Sequence, residues 1–323
     1  MTGVGTADHQ PIEVQVLGAA TRLTLDPSVA GALHPTLALA AQRARQPEAD
    51  PAWEELRAVA AAPGGGGTLP LPLFALERED GTRLASGDSM TLLNGLLADV
   101  EARAAAREGA SVVLRAGCVR IGDRRVVFTG WGAPGVTTVL LALGRRGHVL
   151  ETDSQLFLAE GGLSAVTRRF LVRRHAVDVL DWLDPVLAAT PWLQNGAGET
   201  VHALDPTAFG MDWEAGRGPV DAVVELEGNH GGSNRLRPRS RWEAVRALAD
   251  RARDPAGGPG GSPAQWLGQL CSVVDRAQCL RLTVGDADGA ATLLEEALSQ
   301  DPAAPTGMQG RIFGSVHQID QGG

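Results

Sequence analysis

The stretch VVFTGWGAPGVTTVLLAL, residues 126–143, constrains this chain more than any other segment. Val126 to Thr129 are β-branched or aromatic and read as a buried strand. GWGAPG then interrupts with glycines and a proline, residues that turn a chain sharply. VTTVLLALGRRG follows as a helix, with Arg145 and Arg146 at its negative end and Gly147 closing it. A strand, a glycine turn and a helix in that order predict a layered α/β fold with the turn at one edge of a sheet.

The turn nearly repeats a phosphate-binding pattern, G-x-x-x-x-G-K-S/T. Gly130, Gly135 and Thr137 stand in place, but Val136 occupies the position of the lysine. Glycines let successive backbone N–H groups turn inward round an anion. The helix that follows adds its positive N-terminal end. The candidate binding residues are therefore Gly130, Gly132, Gly135, Val136, Thr137 and Thr138, with the Thr137 hydroxyl placed for Mg2+. A lysine would put a full charge on the phosphates; Val136 supplies none. No lysine elsewhere can substitute, because all 29 basic residues of the chain are arginines.

Beyond the helix, HVLETDSQLFL ends a strand in acidic and hydroxyl residues. A carboxylate at such a strand end can hold Mg2+ directly or through water, which makes Asp153 the candidate for metal binding. The plain alternative is an ordinary strand-to-helix turn and an ordinary strand-end carboxylate.

Composition narrows the function classes. With 323 residues and 44% hydrophobic content, the chain can bury one large core or two modest ones. A net charge of −9 argues against a general nucleic-acid binder, which needs clustered positive charge. No apolar run reaches the roughly 18 residues of a membrane helix. MTGVGTADHQPIEVQV has neither a basic start nor an apolar stretch. The expectation is a cytoplasmic chain with no membrane partner. Cys118, Cys271 and Cys279 lack metal-type spacing and read as free thiols in packing roles.

Along the chain, IEVQVLGAATRLTL (12–25) alternates like a strand pair turning at Gly18. VAGALHPTLALAAQRAR predicts a short helix with Pro35 at a boundary or in its first turn, and PAWEELRAVAAAP a second helix. GGGG (64–67) reads as a flexible connection. SMTLLNGLLADVEARAAAREG (89–109) is the clearest helix, capped by Gly109. SVVLRAGCVRIGDRRVVFTG predicts two strands around GD, and HVLETDSQLFL one further strand. PVDAVVELEG is a buried strand, SRWEAVRALADRARD a helix capped by Ser240, and AGGPGGSP (256–263) a surface loop. A helix, the strand CLRLTVG and a last helix follow. The expected division is a small N-terminal α/β domain over 1–105, a phosphate-loop domain over 106–300 and a flexible tail over 301–323.

The order of these pieces resembles the HPr kinase/phosphorylase family and its kinase-like relatives in bacterial biosynthetic gene clusters. The motifs lie in LRAGCVRIGDRRVVFTGWGAPGVTTVLLALGRRGHVLETDSQLFL (114–158); family members run L-H-A-G-x-V, a hairpin, a strand, the loop, its helix, then R-G-x-x-L-x-S/T-D-D. The resemblance implies an α/β fold with an HPr-kinase-like P-loop core and a smaller N-terminal α/β domain. It further implies ATP or GTP with Mg2+, a peptide or small protein partner, and a homo-oligomer. The departures fall on the chemistry. Arg115 stands for the histidine, Val136 for the loop lysine, and Thr152 for the first aspartate of the pair, leaving Asp153 to match the second; the resemblance implies that this residue serves catalysis as well as metal binding.

Three functions follow as expectations. The first is a degenerate kinase homologue that binds a peptide or protein partner in an accessory or biosynthetic role, with phosphotransfer weak or lost. The second is an active atypical ATP- or GTP-dependent serine kinase, in which Arg115 or Arg120 reaches the phosphates while Thr137 and Asp153 hold Mg2+. The third is a pocket reused for another small molecule. The basic segments RRFLVRRH (168–175) and RLRPRSR (235–241) read either as docking sites for an acidic or phosphorylated partner or as solvated faces with local ion pairs. Asn229 and His230, in the loop EGNHGGSNR, are candidates for the mouth of the site.

Overall fold

The computed structural model describes residues 10–41, 52–61, 74–131, 135–159, 162–194, 199–229, 231–255 and 263–299. Gly132, His230, the GGGG segment and the tail over 301–323 lie outside the described residues. The N-terminal part builds one five-stranded sheet from β1 (Ile12–Val16), β2 (Ala19–Leu25), β3 (Ala52–Ala60), β4 (Phe74–Arg78) and β5 (Arg83–Gly87), ordered as in the chain. Helix α1 (Pro27–Leu37) connects β2 to the parallel β3, and α2 (Ser89–Glu108) packs across the sheet. Both helices start on an aspartate cap: Asp26 accepts from the Ser28 N–H at 3.0 Å, and Asp88 from the Thr91 N–H at 2.8 Å. Pro35 lies inside α1 near its end, rather than at a boundary or in the first turn.

AWEELRAVA is a strand, contrary to the helix its composition predicts. Alanine, glutamate, leucine and arginine all favour helices, but partners on both sides override that preference. β3 pairs in parallel with β2 and antiparallel with β4, burying Leu56 and Ala58 while Arg57 stays exposed. Glu54 is held by Arg78 at 2.6 Å and by Arg103 of α2 at 3.0 Å, which ties the sheet to its helix.

The remaining chain folds round a six-stranded sheet. Its hairpin is β6 (Val112–Leu114) leading into β7 (Gly117–Ile121) and β8 (Arg124–Trp131), followed by α3 (Val136–Arg145), β9 (Val149–Thr152), β10 (Leu156–Ala159) and β11 (Gly162–Ala165). Next come β12 (Phe170–Arg173), α4 (Leu183–Ala188), β13 (Trp192–Gln194), β14 (Thr200–Leu204) and β15 (Arg217–Gly218). The chain closes with β16 (Ala222–Gly228), β17 (Arg235–Pro238), α5 (Arg241–Ala249), β18 (Ala252–Arg253), α6 (Pro263–Val274), β19 (Gln278–Val284) and α7 (Ala287–Ser299). The six-stranded order is β17-β19-β16-β8-β7-β9, with β19, β16 and β8 parallel at its centre. A second sheet runs β15-β11-β10-β6-β18, and a third runs β12-β14-β13.

HVLETDSQLFL is two strands rather than one. β9 pairs with β7 in the large sheet, whereas β10 pairs with β6 and β11 in the second. The break at Asp153–Ser154 is therefore where the chain passes between sheets. Arg125 bolts the two sheets together. Its guanidinium bonds Glu151 at 2.8 Å and donates to the carbonyl oxygens of Leu163 and Gly218 at 2.7 Å each and of Gly216 at 3.1 Å. Glu151 is 1% exposed, so this is a buried ion pair with its hydrogen-bonding capacity well used. Burial beside Glu151 pushes the Cys118 thiol well up, so this cysteine is a packing residue.

The α3 helix is buried nearly all round. Val139, Leu140, Leu141, Ala142 and Leu143 are fully covered by the large sheet, β12 and α7. Its C-terminal arginines anchor it: Arg145 lies over the Trp182 ring at 4.8 Å, and Arg146 pairs with Glu295 of α7. Ser240 caps α5 in a reciprocal box with Glu243. Among the described residues, no helix is long and apolar enough to cross a membrane.

Candidate phosphate-loop site

The parallel strands β8, β16 and β19 end together at Trp131, Gly228 and Val284. Sites in open α/β sheets form beyond such carboxyl ends. Gly130 closes β8 with φ 151°, and a side chain there would collide with the backbone of Leu226 on β16. Gly135 then caps α3 without any side-chain hydrogen bond. Thr138 is buried, and its N–H is taken by the Gly135 carbonyl at 3.1 Å. Gly130, Gly135, Val136, Thr137 and Thr138 thus come together at one edge.

Val136, the first residue of α3, is partly buried. Its side chain packs against the large core, and its Cγ1 fills the place where a Cβ on Gly117 would sit; Leu140 Cδ1 would lie 2.7 Å from the same atom. Gly117 opens β7, so the start of that strand leaves room for Val136.

Thr137 and Asp153 meet directly, the Thr137 hydroxyl donating to Asp153 Oδ2 at 2.9 Å. Burial pushes the Asp153 carboxyl up to about 6, against the pull of Arg168 and the hydrogen bonds from Thr137 and Ser154. Thr152 is fully buried and belongs to the turn. Its hydroxyl donates to the Val166 carbonyl at 2.7 Å and accepts from the N–H groups of Ser154 at 3.3 Å and Gln155 at 3.4 Å. Among the described residues, no three His, Cys, Asp or Glu side chains converge on a point.

The two arginines expected near the loop part company. Arg120 pairs with Glu214 at 3.1 Å, toward the end of β7 away from Gly117. Arg115 is exposed one residue beyond β6, and its N–H bonds the Arg251 carbonyl at 2.9 Å. Arg251, which the sequence pattern did not single out, donates through its guanidinium to the carbonyl of Gly130. Nothing local marks it; the β6–β18 pairing carries it 121 residues back to the loop. Asn229 lies just past β16 at the same sheet edge, exposed, with its N–H on the Val284 carbonyl at 2.8 Å.

The basic segments are largely engaged in local pairs. Arg168 reaches Ser154 at 2.9 Å, Arg173 pairs with Glu199 at 3.1 Å, and Arg174 with Asp184 at 2.5 Å. In the other segment Arg239 binds Glu225 and Glu243.

No protein-family model matches the chain, and no curated protein matches its sequence. Among solved structures it is similar to the HPr(Ser) kinase/phosphatase from Coxiella burnetii, at 13% identity and a TM-score of 0.29, over 58% of this chain and 93% of that one. A likeness of that strength carries nothing about chemistry. The mixed α/β class rests on the sheets and helices described above.

Proposed function

We propose that this chain is a degenerate HPr-kinase-like protein, which keeps a phosphate-loop frame and binds a peptide or small protein partner in an accessory role. Phosphotransfer is weak or lost. The single observation that carries this reading is the seat of Val136: at the position of the loop lysine stands a partly buried valine packed over Gly117 and against the large core. Two further observations support it. The Thr137 hydroxyl spends its proton on Asp153, and Thr152 spends its hydroxyl on the turn, which leaves Asp153 without a second carboxylate beside it. Two acidic positions would ordinarily share metal binding and activation of the attacking hydroxyl. Support for a macromolecular partner is the indole of Trp192, 64% exposed on the edge strand β13.

The test is calorimetric titration of the full chain with Mg-ATP and Mg-GTP. Absence of tight binding by the wild type, with gain in Val136→Lys, supports the reading; a lysine stem can lie over Gly117 and still extend its ammonium outward. Tight wild-type binding that disappears in Asp153→Ala defeats it in favour of the atypical kinase.

A further inference from the structure

Asp153, Ser154 and Gln155 carry the chain from the large sheet to the second, and each side chain meets a different part of the fold. Asp153 accepts from the Thr137 hydroxyl at the start of α3, at 2.9 Å. Ser154 accepts from the Arg168 Nε at 2.9 Å. Gln155 is buried with its side chain against Glu101 of α2. Consecutive residues thus join the phosphate loop, the chain after β11 and the helix of the N-terminal sheet. The backbone holds them in that order. The Val166 N–H bonds the Gln155 carbonyl at 3.1 Å, and the Thr152 hydroxyl bonds the Val166 carbonyl at 2.7 Å.

Arg168 closes this circuit. Its Nη1 stands 3.7 Å from Glu101 Oε1, an oxygen that has no hydrogen-bond partner among the described residues. Burial pushes the carboxyls of both Glu101 and Asp153 up, and at each the charge of Arg168 is the strongest pull the other way. Arg253 also acts on Glu101. One cation therefore serves a carboxyl at the loop and a carboxyl on α2. In such buried surroundings charges are poorly screened, so a change at either carboxyl is felt at the other through the cation they share. The N-terminal part grips this segment at further points. Arg169 donates to the carbonyl of Ala41, beyond the end of α1, at 3.2 Å. Val113, Phe157 and Val166 lie in one apolar cluster with Leu92, Leu96 and Val100 of α2. Glu108, two turns along the same helix, makes a separate contact with the second sheet, accepting from Ser164 at 2.8 Å.

We propose that Arg168 is a positioning residue shared by the loop site and α2, through which the N-terminal sheet and its helix set the charge balance round Asp153. Movement of α2 withdraws Glu101 and leaves Arg168 to Ser154 and Asp153 alone. A cationic group held at Asp153 releases Arg168 toward Glu101. The two effects are one coupling seen from its two ends. The inference goes beyond the degenerate-kinase reading and holds whether or not the loop takes a nucleotide.

The experiment is NMR of the full chain without ligand, with threonine amides and aspartate carboxyl carbons labelled and the Thr137 and Asp153 signals assigned by substitution. Glu101→Gln removes a charge from α2 with little change of shape, and it should move both signals. Glu108→Gln alters the same helix at its other contact with the second sheet and should leave both in place. In an Arg168→Met background Glu101→Gln should no longer move them, whereas Arg168→Lys, which keeps the charge, should retain part of the response. Signals that ignore Glu101→Gln overturn the proposal. Equal shifts in Glu101→Gln and Glu108→Gln also overturn it, since they would report a general loosening of α2. So do shifts that persist once Arg168 is removed. Should Arg168→Met not fold, the comparison of the two glutamate variants decides alone. Tight Mg-nucleotide binding in the calorimetry above would defeat the degenerate-kinase reading and leave this result standing.

Discussion

Val136 occupies the space that the missing side chain of Gly117 leaves open. The two positions belong to separate motifs, LRAG before the strand and GAPGVTT after it, yet they share one van der Waals volume. A side chain at Gly117 would require Val136 to move, and overpacking of this kind costs about 1–3 kcal/mol. Gly117→Ala should therefore lower stability by about 2 kcal/mol in urea unfolding. Adding Val136→Ala should recover part of that loss, because the second change vacates the volume the first one needs. Purely additive losses would show that the two residues are not coupled.

Thr152 tests whether an acidic pair can be restored. Thr152 is fully buried, and its hydroxyl is both donor and acceptor at the turn. Thr152→Asp cannot donate to the Val166 carbonyl when ionised and buries a charge beside Asp153. The expected cost is about 2–4 kcal/mol, against about 1–2 kcal/mol for Thr152→Val. Chemical denaturation at neutral pH measures both. An aspartate variant as stable as the wild type would mean that the position had not been committed to the turn.

The bolt between the sheets makes a larger prediction. Arg125 is satisfied by Glu151 and three carbonyl oxygens, so removing the carboxylate leaves a buried cation with too little compensation. Glu151→Ala should lose about 3–5 kcal/mol, read as a lower urea midpoint. A loss below about 1 kcal/mol would place the pair in the class of surface bridges.

The anchor of α3 on α7 sets a pH dependence. Glu295 is held down to about 2, against an ordinary 4.5, by hydrogen bonds from Arg146 and His148 and by the charge of Arg146. A lowered carboxylate stabilises the fold fully above its unfolded value and loses that contribution as pH falls toward the folded one. The window is therefore roughly pH 4.5 down to 2. Solvent reaches this pair, so its contribution is about 1 kcal/mol rather than the full value of the shift. The stability gap between wild type and Glu295→Gln should be present at neutral pH and close across that window. A gap that stays constant with pH would remove the ion pair as its cause.

The sequence was most legible where a local rule coincided with the fold. The VVFTG strand, the apolar helix after it and the Gly109 and Ser240 caps each follow from neighbours within a turn or two, and each is present. β3 was not legible, because its residues favour a helix and only pairing with β2 and β4 makes it a strand. The split of HVLETDSQLFL was hidden for a similar reason: only sheet membership separates β9 from β10. At the site, the loop residues and Asp153 could be read from spacing, and the Thr137–Asp153 contact joins them. Arg251 could not, since only the pairing of β18 with β6, far along the chain, brings it to Gly130.

The metal dependence of nucleotide binding tests the central claim most directly. Affinity of the full chain for ATP and for GTP should be measured once with Mg2+ and once with EDTA. If the loop has kept its frame while losing its lysine and metal machinery, Mg2+ brings no gain in affinity, and Asp153→Ala changes neither value. A gain of tenfold or more with Mg2+, about 1.4 kcal/mol, that vanishes in Asp153→Ala would contradict that account.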